Sequence, residues 1–128
     1  MWNTILLVFL GGGAGSVARW GMTNFVSKQV TPGSTFPWHT LSVNIIGAFI
    51  IGILMEILAL RLSAPQPARF LLVTGFLGGF TTFSAFSLEA AMLMERGDYA
   101  QMAAYVAVSV IGCIGCVFLG SFLVKMVS

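Results

Sequence analysis

Four apolar stretches, roughly residues 4–26, 40–60, 70–93 and 99–127, take up most of this 128-residue chain. Each reaches the ~20 residues that a helix rising ~1.5 Å per residue needs to cross ~30 Å of hydrocarbon. The separators are polar or helix-breaking. Residues 27–37 hold Lys28, Pro32, Gly33 and Pro37, residues 61–69 hold Pro65 and Pro67, and residues 95–98 form a tight charged turn. The pattern predicts an all-α membrane protein, one four-helix transmembrane domain over residues 1–128 with no soluble domain and no internal repeat.

Composition points the same way. The chain is 58% apolar and only 8% charged, where soluble domains carry about 25% charged residues. Its six basic and four acidic residues are scattered, so no basic cluster suggests nucleic acid. Residues 5–10 are apolar and small residues follow, as in a secretory leader. Met1-Trp2-Asn3-Thr4 brings no side-chain positive charge, however, and apolar character resumes beyond Arg19, so the segment reads as the first span. Cys113 and Cys116 have C-x-x-C spacing, but there is no second pair and the only histidine, His39, is remote. They read as small packing residues.

Small residues recur at helix-packing intervals: Gly11 and Gly15, Gly75 and Gly79, then Gly112, Cys116 and Gly120. Lipid offers little hydrophobic drive between helices, so close backbone approach through small residues holds them together. The glycine run that starts at Gly11 is followed by no Walker lysine, which excludes a phosphate loop.

Charge says almost nothing about orientation. With four spans, both termini and the 61–69 separator share one side, which carries Arg61, Arg69 and Lys125; the other carries Lys28 and Arg96, with Arg19 nearby. Topology follows Lys/Arg bias, and this split is nearly even. The expectation is that copies insert both ways and pair in opposite orientations.

Polar groups at membrane depth are costly and mark functional candidates. Thr40 and Asn44 are four apart on one helix face, suited either to meeting an anion with hydroxyl and amide donors or to bonding a neighbouring helix. The third stretch reads Gly78-Gly79-Phe80-Thr81-Thr82-Phe83-Ser84-Ala85-Phe86-Ser87. Adjacent glycines followed by two β-branched threonines are poor helix. A break there would free carbonyls and amides that survive at this depth only inside protein or beside an ion or water; a tight packing crossing is the other reading. Phe80, Phe83 and Phe86 recur every three residues, either as plain lining or as ring edges of partial positive charge beside Ser84 and Ser87. Tyr105, Ser109, Cys113 and Cys116 share a face of the fourth stretch, a polar track or small packing residues. Glu56 and Glu89 keep a small proton-coupled exporter of drugs or anions open as an alternative, and a non-transporting assembly subunit is another.

Three pieces together resemble the Fluc (CrcB) family of fluoride channels: the 12–20 segment from Gly12 to Trp20, the 40–49 segment from Thr40 to Phe49, and the 78–87 run with Glu89. They fall on three of the four stretches in the family's order. His39 stands where the family often has glycine, and Ala85 where threonine or serine is frequent. The resemblance implies a multi-pass protein of the cell inner membrane that passively exports fluoride, with no enzymatic activity. It implies an antiparallel dual-topology homodimer with a break in the third helix, two pores, and a structural Na⁺ on the axis held by the Gly78 and Thr81 carbonyls. By the same motifs Phe83 and Phe86 line each pore with Ser84, Ser87 and Thr40, and Asn44 is an amide donor. Tyr105 and Ser109 continue the track, Glu89 lies beside it, and Arg19 gives positive potential near a mouth.

Overall fold

A computed structural model describes residues 1–60 and 66–127, so residues 61–65 of the proline-containing separator lie outside the described residues. All regular structure among the described residues is helical: α1 (Trp2–Gln29), α2 (Trp38–Leu60), α3 (Gln66–Arg69), a π-helical stretch (Phe70–Leu77), α4 (Gly78–Phe80), α5 (Phe83–Glu95) and α6 (Tyr99–Val127). Four spans, Trp2–Gln29, Trp38–Leu60, Gln66–Glu95 and Tyr99–Val127, are long and apolar enough to cross a membrane. This is a multi-pass helical membrane protein.

Two connections among the described residues have legible chemistry. Gly97 closes α5 with φ +80°, a left-handed conformation that glycine adopts without steric cost. Its amide bonds to the Met94 carbonyl and that of Asp98 to the Leu93 carbonyl, the paired bonds that satisfy a helix's last carbonyls. Gly33, at φ +91°, serves the connection from α1 to α2.

Glycines make the crossings. α1 lies directly on the third span: a side chain at Gly11 would meet the backbone of Leu71 and Phe76, one at Gly15 that of Phe76 and Phe80, and one at Gly79 that of Gly12. α2 runs along α6 in the same manner, Gly52 against the Val117 backbone and Gly120 against Phe49 and Ile53. Gly112 meets only the Ile45 side chain, and Cys113 and Cys116 are free thiols, half-buried. A small apolar cluster of Leu41, Phe86, Leu93 and Tyr105 ties α2, α5 and α6 at the opposite end from the chain termini.

Candidate functional site

The third span carries its own interruption. Thr81 (φ −79°, ψ 158°) and Thr82 (φ −151°, ψ 117°) are extended, while Gly78 and Gly79 stay helical. Gly79 is needed where α1 touches, whereas Gly78 has room for a side chain. The Thr81 amide still bonds the Leu77 carbonyl at 2.9 Å, and the helix is lost at the Thr82 amide, which Asn44 takes over. Asn44 Nδ2 donates to the Thr82 carbonyl at 2.9 Å, and Asn44 Oδ1 accepts from the Thr82 amide at 2.8 Å. Thr82 Oγ1 accepts from the Ala85 amide at 3.2 Å and so caps α5, as threonine does at a helix start.

This exchange deprives two carbonyls of their helical donors. The Thr82 amide, which would bond Gly78 in an unbroken helix, goes to Asn44. The Ala85 amide, which would bond Thr81, goes to the Thr82 hydroxyl. Arg19 Nη1 reaches the Thr81 carbonyl at 3.4 Å, a long contact by hydrogen-bond standards. Arg19 is therefore placed at the interruption itself. The Thr81 hydroxyl turns back to the Leu77 carbonyl at 2.9 Å.

An open groove of about 500 Å³ runs beside the interruption. Asn44, Thr82, Phe83, Phe86 and Ser109 lie along it with Gly78 and Thr81. Phe83 is 77% exposed there and Phe86 only 8%. Their rings sit 5.3 Å apart at 40°. Phe80 lies across the interruption, buried and stacked on Phe76 at 6.1 Å, so the expected three-phenylalanine stripe is a pair. Ser109 is buried, and its hydroxyl has no hydrogen-bond partner among the described residues. Ser84 Oγ lies 3.2 Å from Thr82 Oγ1, and the Ser87 hydroxyl donates to the Phe83 carbonyl at 2.9 Å.

Beyond Phe86, whose ring is 5.2 Å from that of Tyr105, the polar groups gather on Glu89. Thr40 Oγ1 donates to Glu89 Oε1 at 2.7 Å, and the Tyr105 hydroxyl donates to Oε2 at 2.7 Å. His39 Nε2 is 3.0 Å from Oε1. Thr40, Glu89 and Tyr105, drawn from α2, α5 and α6, thus form one cluster beside the aromatic pair. Glu56 is spent elsewhere: it accepts from the Ser121 hydroxyl at 2.8 Å and pairs with Lys125 at 3.5 Å. Among the described residues no three His, Cys, Asp or Glu side chains cluster as transition-metal ligands. Hard oxygens at Gly78 and Thr81 are a different donor set, fit for an alkali or alkaline-earth cation.

The family model for CrcB-like protein, Camphor Resistance (CrcB), matches residues 6–121. The chain belongs to the CrcB family. Similar CrcB relatives carry the name fluoride-specific ion channel FluC. That of Rhizobium etli (strain CIAT 652) is 50% identical over 104 residues, 81% of this chain and 82% of its own. That of Agrobacterium fabrum is 49% identical over 116 residues, 91% of each chain. That of Nitrobacter winogradskyi is 44% identical over 126 residues, 98% of each.

Sequence reasoning missed what happens between helices. The contact of His39 with Glu89 joins residues 50 apart in the chain, and no local signal announces it. The dual use of Asn44 as donor and acceptor to one residue was equally hidden, although a lone asparagine four residues from a threonine in a span is a fair prompt.

Proposed function

We propose that this CrcB-family chain is a fluoride-selective ion channel that lets fluoride leave the cytoplasm passively across the cell inner membrane. One observation carries the reading: the buried Ser109 hydroxyl without a partner, lying along the same groove as Phe83, Phe86 and Asn44. A buried hydroxyl is normally hydrogen-bonded, so one left open beside a groove is a donor waiting for an acceptor. Fluoride is small and strongly hydrated, and it needs donors along its way. Ring edges of Phe83 and Phe86, the hydroxyls of Ser109 and Ser84, and the second N–H of Asn44 supply them without a fixed cation that would hold the ion too long. The Ser87 and Thr40 hydroxyl hydrogens are engaged by the Phe83 carbonyl and Glu89. Weak, repeated sites favour both entry and exit. The FluC name of the relatives supports fluoride as the ion.

The groove also argues for a second copy. Phe83 is exposed on one protomer, and the open groove near mid-span is lined by Thr82, by Thr81 and by Gly78, whose carbonyl has lost its helical donor. Lipid cannot satisfy such backbone groups. A partner laid across the groove would cover them, and the near-even Lys/Arg split favours a partner inserted the other way round. The assembly proposed is thus an antiparallel dual-topology homodimer with two pores. At its axis the Gly78 and Thr81 carbonyls would hold a Na⁺. That ion would supply the positive charge these oxygens lack and lock the two interruptions together; it is structural, since a passive anion path needs no cotransport. Arg19, already on the Thr81 carbonyl, adds positive potential beside it.

The deciding experiment is efflux from liposomes containing the purified protein alone. Fluoride is expected to leave while chloride stays. Vesicles tight to both anions would sink the channel reading, and flux that collapses in uniform pH would favour a proton-coupled exporter instead. Efflux unchanged in rigorously Na⁺-free solution would remove the cation.

A further inference from the structure

His39 is a titratable side chain that the pathway described above does not use. It lies in the first turn of α2, in a recess of about 540 Å³ bounded by the end of α1, the connection that follows it, and α5. Its Nε2 is 3.0 Å from Glu89 Oε1, with the imidazole 34% exposed and the carboxylate 19%. The charged and titratable groups around it are few. α5 and its end supply Glu89 and Arg96, α6 supplies Tyr105 through the shared carboxylate, and the α1 end and connection contribute only uncharged residues to the recess.

Two of the three groups on Glu89 are hydroxyls, which stabilise the carboxylate but leave its charge in place. A bare negative charge at an entrance repels an incoming anion. The third group is the only one of the three that can change sign, because an imidazole gains its proton between about pH 5 and 8. We propose that the recess beside the Glu89 cluster is an entrance to the path, and that His39 is a positioning residue that sets its charge. Neutral, it holds Glu89 by a hydrogen bond at most; protonated, it turns the carboxylate into an ion pair, and fluoride enters more readily. The proposal rests on the channel reading, and its sign is fixed: fluoride efflux rises as pH falls through the imidazole range.

The test is initial fluoride efflux from liposomes holding the full chain, at about pH 5.5 and about pH 8 on both sides of the membrane. Efflux from protein-free vesicles is subtracted to remove diffusion of HF. The parent should conduct about threefold or more faster at the lower pH, the size expected when one partly screened charge is neutralised near the path. His39→Gln keeps an N–H donor without the charge and should bring the ratio down to about one. His39→Lys carries a permanent charge and should also flatten the profile, but at the raised rate. A parent with a flat profile, or a glutamine variant that keeps the parent's ratio, overturns the proposal. A lysine variant that still rises steeply at low pH does so too. A chain that passes no fluoride at either pH refutes the channel reading itself, a separate result.

Discussion

Asn44 holds Thr82 by both ends of its peptide unit, donating to the carbonyl at 2.9 Å and accepting from the amide at 2.8 Å. One side chain from α2 thereby takes over the helical bond that the Thr82 amide gives up and adds a second donor to the Thr82 carbonyl. It also redirects the Thr82 amide away from Gly78. The shape of the interruption is therefore set from a neighbouring helix as much as by its own residues.

Removing that hold should be costly. Asn44→Ala leaves the Thr82 amide without a partner, at about 1–3 kcal/mol when buried, and takes the side-chain donor from its carbonyl. Asn44→Asp keeps an acceptor for the amide but sets an oxygen against the Thr82 carbonyl. Both variants should lose most fluoride efflux and melt earlier in detergent. An aspartate variant with parental flux would show that the donor to the carbonyl is dispensable.

The glycine crossings make a sharper stability test. Gly15→Ala and Gly52→Ala each drive a methyl into backbone of the facing helix, whereas Gly13 and Gly115 face open space. Overpacking against backbone should cost about 1–3 kcal/mol or more. Thermal unfolding followed by size-exclusion should separate the pairs, with Gly13→Ala and Gly115→Ala folding like the parent.

The two phenylalanines should behave differently. Phe83→Ile removes a polarised edge from an exposed ring and should slow fluoride efflux roughly tenfold with little effect on stability. Phe86→Ile should slow efflux too, and also lower stability by about 1 kcal/mol, since the ring packs on Tyr105. Phe49→Ile, away from the groove, should conduct normally. Parental efflux from both pore variants would make the pair ordinary packing.

Glu56 separates a channel from a proton-coupled exporter. Its carboxylate is engaged by Ser121 and Lys125 at the far end of α2, so Glu56→Gln should leave efflux intact and weaken only the α2–α6 attachment. An exporter that relies on this carboxylate would stop. Efflux measured with and without an imposed pH gradient reads the difference.

Orientation can be tested by adding charge. Two lysines placed in the turn at residues 95–98 would give that side a clear excess and, by the positive-inside rule, force a single orientation. Activity should then vanish and return when a copy biased the other way is coexpressed. Cysteine tags on the C-terminus of the parent, labelled from each side, should react from both.

The four spans were legible because length and apolarity are properties of the chain itself, and the glycine pairs on α1 and the third span were legible from spacing. That residues 78–82 make poor helix was also readable in their types. Which of them are extended was not, because Asn44 decides it from 38 positions away. The same limit applies to Glu89. Its isolation in an apolar stretch marked it as important, yet its partners Thr40, Tyr105 and His39 come together only once α2, α5 and α6 are packed. The π-helical stretch at Phe70–Leu77 had no sequence signal that we recognise.

The contact of α1 with the third span is made backbone to backbone through Gly11, Gly15 and Gly79. At these points backbone meets backbone, and there is no side chain to trade. Elsewhere in a protein a larger residue on one side can be answered by a smaller one opposite, and lineages drift through such exchanges. Here neither partner can shrink further. Second-site repair of a glycine substitution at this joint should therefore never be found in the facing helix, and suppressor screens should return only reversion.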